Sequence, residues 1–60
     1  MTLAAARKRA NLTVSETARR IGVERVTIQR LERGKTLPQY QTREALERLL
    51  RTPLKFSKAA

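Results

Sequence analysis

Nothing in this sequence can staple a fold from outside its core. Its sixty residues include no cysteine and no histidine, which removes disulfides, thiolate chemistry, imidazole bases and the usual zinc sites. A chain this short buries only about 60% of the surface its unfolded form exposes, so one compact apolar core must carry all of its stability. There is no room for an enzyme core plus a cleft. Only five carboxylates are present and most have evident capping or pairing roles, so the expectation is a non-enzyme with no cofactor, no catalytic residues and no metal ligands.

Fourteen Lys and Arg against five Asp and Glu leave a formal charge of +9. On so small a surface that field attracts polyanions, either nucleic acid or an acidic protein surface. The apolar run Leu3 to Ala6 is cut off by Arg7, Lys8 and Arg9, too short for a signal peptide or a membrane span. A soluble cytoplasmic protein with no membrane partner is expected. Charge alone fits a ribosomal fragment or a cationic membrane peptide as well, so the shape must come from pattern.

Thr2 can cap a first helix over Leu3 to Ala10, with Leu3, Ala6 and Ala10 on one face. Asn11 tolerates the left-handed conformation that stops helices, and Leu12 can fold back onto the core. Thr13-Val14-Ser15-Glu16 has capping-box spacing, which starts a second helix at Val14 with Val14, Ala18 and Ile21 inward and Gly22 as its end. Val23 reads as buried. Glu24 serves as N-cap of a third helix, Arg25 to Arg33, with Ile28 and Leu31 inward and Gly34 after it. Its outer face holds Arg25, Val26, Gln29, Arg30 and Arg33, without an acid.

Lys35 to Gln41 is a loop punctuated by Pro38, with Leu37 and Tyr40 as anchors, and Thr42 can cap a fourth helix with Leu46, Leu49 and Leu50 inward. Thr52-Pro53 opens a fifth, short helical turn because proline suits the first helical position, and Leu54 and Phe56 add apolar cover. The expected architecture is all-α, a compact bundle of five short helices. Residues 1–56 form one domain and residues 57–60 a frayed C-terminal tail.

Two helices joined by a short turn around a glycine, the second with a polar outer face, let one helix enter the DNA major groove while the other crosses the backbone. Glu16-Thr17-Ala18-Arg19-Arg20-Ile21-Gly22-Val23 followed by Thr27-Ile28-Gln29-Arg30-Leu31-Glu32-Arg33-Gly34-Lys35 resembles the phage repressor and Cro type of helix-turn-helix domain (the XRE family). The resemblance runs from about Leu3 to Leu54 and implies a lambda-repressor-like fold. It further implies a sequence-specific regulator of transcription, of the repressor kind, acting on a double-stranded DNA operator in a bacterial or phage-infected cell.

Carried over position by position, the resemblance assigns base contacts to Arg25, Val26, Gln29 and Arg30. The chemistry suits them: arginine can donate twice to guanine O6 and N7, glutamine can pair with adenine N6 and N7, and valine can pack on a thymine methyl. Phosphate contacts fall on Thr13, Val14 and Ser15 at the start of the second helix, and on Arg33, Lys35, Gln39 and Tyr40 after the third. The family's buried ion pair falls on Arg7 and Glu32, and a homodimer contact falls on Leu54 and Phe56, which would set two half-sites about 34 Å apart. Three positions depart from the family pattern. Val14 replaces a glutamine, Glu24 stands where Ser or Thr is common and would repel phosphate, and Thr17 replaces a leucine and thins the core.

Two other functions fit the composition. The same fold can serve as a protein-interaction module, such as an antitoxin bound to an acidic toxin partner. A cationic amphipathic membrane binder would be helical only on anionic vesicles. Tyr40 and Phe56, the only aromatics, read as core or interface anchors, which disfavours stacking on single-stranded nucleic acid.

Overall fold

The computed structural model describes residues 1–57. The tail expected over 57–60 therefore lies, beyond Ser57, outside the described residues. Four helices follow one another: α1 Leu3–Arg9, α2 Val14–Ile21, α3 Arg25–Glu32 and α4 Tyr40–Leu50.

The first three helices are punctuated in one way. Each ends with a residue in the left-handed region, Asn11 (φ 59°), Gly22 (φ 77°) and Gly34 (φ 72°). The N–H of that residue and the N–H after it then turn back onto the helix, for example Asn11 to the Lys8 carbonyl (3.0 Å) and Leu12 to the Arg7 carbonyl (3.1 Å). Val23 closes on Ala18 (3.0 Å) and Lys35 on Arg30 (3.0 Å) in the same sense. These paired bonds satisfy carbonyls that a helix end otherwise leaves open. They also reverse the chain sharply, so helices of seven or eight residues can pack on one another. Ala10 sits at the turn closing α1 and is exposed, not part of the apolar face.

The starts of α1 and α2 are set by side chains. The Thr2 hydroxyl accepts from the Ala5 N–H (3.2 Å). At α2 the capping box is complete: the Thr13 hydroxyl accepts from the Glu16 N–H and the Glu16 carboxylate accepts from the Thr13 N–H, both at 3.0 Å. Glu24 occupies the N-cap position of α3 but makes no side-chain capping bond.

The core gathers Leu3 and Ala6 of α1, Ala18 of α2, Ile28 and Leu31 of α3, and Leu46 and Leu50 of α4, with Leu54 behind them. Ala18 is small where α2 meets α3, which lets the two backbones approach. Thr17 is wholly buried, and its hydroxyl donates to the Thr13 carbonyl at 2.9 Å. That bond answers the polar atom the position brings into the core. Ile28 is 0% exposed. Truncating such a residue to alanine costs about 2–5 kcal/mol, comparable to the whole stability a core of this size supplies.

The C-terminal half corrects several expectations. Helix α4 begins at Tyr40 with Gln39 as N-cap, so Thr42 lies inside the helix and does not cap it. Pro38 disfavours helix in the residue before it, and after Pro38 the chain enters α4 directly through the extended Gln39, whose carbonyl accepts from the Arg43 N–H at 2.9 Å. Leu37 and Tyr40 are not anchors; they are 57% and 78% exposed.

Among the described residues there is no fifth helix. Arg51 turns left-handed (φ 56°) at the end of α4, and the next segment is held extended by partners elsewhere. The Leu54 N–H donates to the Glu47 carboxylate (2.8 Å), and the Lys55 N–H donates to the Met1 carbonyl (2.9 Å). Lys55 thereby forms a parallel bridge with Thr2. Lys55 is thus held in extended pairing with the chain start, and no helical turn opens at Pro53. The segment ties the two ends of the described chain together instead.

Candidate nucleic-acid interface

Helices α2 and α3 are joined through Gly22, Val23 and Glu24, and their contact is the most extensive in the fold. At about 100° per residue, Thr27, Ile28, Leu31 and Glu32 fall on one side of α3. Ile28 and Leu31 are buried there, and Thr27 and Glu32 are half-buried. The remaining positions, Arg25, Gln29, Arg33, Val26 and Arg30, occupy a continuous arc of about 140°. Arg25, Val26, Arg30 and Arg33 are exposed and Gln29 is half-buried. The donor-rich face is therefore the one α3 turns away from the core.

Charge pairing sharpens that face. Among the described residues the ion pairs are Arg7–Glu32, Arg43–Glu47 and Arg48–Glu44. Glu16 is engaged in the α2 capping box. The backbone bond from Thr13, joined by its hydroxyl and by the charges of Arg20 and Arg19, holds the Glu16 carboxyl below its ordinary value. None of these carboxylates offsets Arg25, Arg30, Arg33 or Lys35, whose charges remain available to a polyanion.

The one acid within α3, Glu32, faces inward. Its two oxygens accept from Arg7 Nε at 2.6 Å and Nη2 at 3.2 Å, while Arg7 Nη1 donates to the Leu12 carbonyl at 2.9 Å. The side chains are 12% and 14% exposed. Hydrogen bonding to Glu32 raises the Arg7 guanidinium above its ordinary value despite partial burial. Arg7 thus ties α1, the α1–α2 turn and the end of α3 into one unit, so that the outer face of α3 is presented on a braced helix.

The residues assigned to phosphate lie at the two flanks of this face in the sequence. Thr13 and Ser15 are exposed and Val14 is half-buried. Thr13 is already engaged by Glu16 through both its N–H and its hydroxyl oxygen. The Val14 and Ser15 N–H groups, in the first turn, have no intrahelical acceptor and are the donors free to meet an oxyanion. Arg33, Lys35, Gln39 and Tyr40 are all exposed. Leu54 is 3% exposed and belongs to the core, so its side chain has almost no surface to offer a partner. Phe56 is half-buried and lines a groove of about 440 Å³ with Leu37 and Pro38. The sequence reading left Arg19 and Arg20 unassigned, and both are exposed on α2. Two basic residues in a last helical turn are ordinary complements of the helix dipole, so their positions carried no distinguishing signal.

A family model described as "Helix-turn-helix domain" matches residues 1–57. The chain belongs to that family and is a helix-turn-helix DNA-binding domain. No curated protein and no solved structure matches it. No helix among the described residues is long and apolar enough to cross a membrane.

Proposed function

We propose that this domain reads duplex DNA sequence-specifically by placing α3 in the major groove, and that it regulates transcription as a repressor of the phage repressor and Cro type in a bacterial cytoplasm. The observation that carries this reading is the acid-free outer arc of α3, set opposite the buried Ile28 and Leu31. In this reading Arg25 and Arg30 contact guanine, Gln29 contacts adenine and Val26 packs on a thymine methyl. The Val14 and Ser15 amides, with Arg33, Lys35, Gln39 and Tyr40, position the domain on phosphates. A homodimer would use the Phe56 face to span two half-sites one helical turn apart.

The test is selection of bound duplexes from a randomised pool at two salt concentrations, followed by sequencing. The expected result is enrichment of a short motif, palindromic when two copies bind. Weak binding with no enriched motif and a steep salt slope would reduce the interaction to net charge and overturn the proposal in favour of an acidic protein partner.

A further inference from the structure

Glu24 is the one carboxylate among the described residues without a partner. Glu16 closes the capping box, Glu32 holds Arg7, Glu44 holds Arg48, and Glu47 holds both Arg43 and the Leu54 N–H. Glu24 stands at the N-cap of α3, where a carboxylate can accept from the helix's own amides, yet it makes no such bond. It is exposed, and it immediately precedes Arg25, at the end of the helix that helix-turn-helix proteins bring to the base edges.

An unpaired negative charge at that place is not neutral toward DNA. Facing phosphate it only repels. Facing the bases it has acceptors and no donor, so it matches the exocyclic amino groups exposed in the major groove. Cytosine offers N4 alone, whereas adenine sets the N7 acceptor beside its N6 amino group and would repel a carboxylate. Deepening the reading above, we infer that Glu24 is a specificity-determining residue that accepts a hydrogen bond from cytosine N4, next to the base read by Arg25.

The experiment is the same duplex selection run with the wild-type chain, Glu24→Ala and Glu24→Gln, each first checked for helical content by circular dichroism. Wild type should select cytosine at one fixed position. Glu24→Ala should lose the preference there and nowhere else while binding unrelated duplexes more tightly, and Glu24→Gln should move it toward adenine, whose N6 and N7 an amide can match. Replacing that cytosine by an analogue lacking the 4-amino group should weaken wild type by roughly 5- to 150-fold and leave Glu24→Ala nearly unchanged. A wild-type motif that Glu24→Ala leaves intact, with affinity rising equally for all sequences, would overturn this inference alone. Absence of any wild-type motif would overturn it together with the reading of α3.

Discussion

Helices α3 and α4 are both short, amphipathic and rich in arginine, but they dispose of their charges in opposite ways. In α4, Arg43 reaches Glu47 at 3.7 Å and Arg48 reaches Glu44 at 2.7 Å, each one turn away. In α3 the only acid is drawn inward to Arg7, and the outer cations have no ion-pair partner among the described residues. The same residue type therefore serves two purposes. On α4 it decorates a supporting helix whose surface is locally neutralised; on α3 it leaves a concentrated positive face for a polyanion. Net charge counts all these arginines equally, and the pairing geometry separates them.

The largest effect should come from the inward acid. Glu32→Ala leaves the Arg7 guanidinium partly buried and unpaired, which costs about 3–5 kcal/mol, enough to unfold most of a domain this small. Urea titration followed by circular dichroism reads this directly. Near-wild-type stability would mean that the Arg7–Glu32 pair does not brace α3.

Next in size, Arg25→Ala combined with Arg30→Ala should lower affinity for the selected operator by roughly 100-fold or more, with helical content unchanged. The matching α4 double variant, Arg43→Ala with Arg48→Ala, should change it by less than about 3-fold. Anisotropy titrations at fixed salt make the comparison, and equal losses would erase the distinction between the two helices.

A smaller effect distinguishes the start of α2. The Glu16 carboxyl lies below its ordinary value of 4.5 in the folded chain, so folding favours its ionised form. Its contribution is complete above that ordinary value and is lost as pH falls through the lowered one. Thermal melts between about pH 6 and about pH 3 should show wild type losing more stability than Glu16→Gln. Parallel curves would mean the capping box does not hold in solution. The smallest change is expected for Arg48→Ala, which removes an exposed one-turn pair worth about 0.2–0.5 kcal/mol. A loss several times larger in the same urea titration would show that α4's pairs are structural after all.

Legibility along the chain followed how local each determinant is. The capping box Thr13 to Glu16, the stop at Gly22 and the inner face of Ile28 and Leu31 could be read because each is specified by residues within one or two turns. The reading failed after Pro38. Tyr40 looked like an anchor because a large aromatic in a short chain usually finds cover, yet α4 starts on it and leaves it in solvent. Thr52-Pro53 looked like a helix start, but the following residues run extended, the Leu54 N–H donating to Glu47 and the Lys55 N–H to Met1 at the far end of the chain. The face of α3 could be read as acid-free. That its cations lack partners, and that Glu24 does too, depends on where every other carboxylate is drawn.

By itself, then, the sequence determined the helical punctuation, the positive charge and the turn around Gly22, because capping, left-handed stops and periodicity act over a few residues. The Arg7–Glu32 pair was already implied by the family resemblance; only the tertiary structure decided which outer cations are left without a partner and how the last described residues pair with the first. The terminal pairing joins residues at opposite ends of the described chain, and a cation is known to lack a partner only once every carboxylate's position is fixed in space.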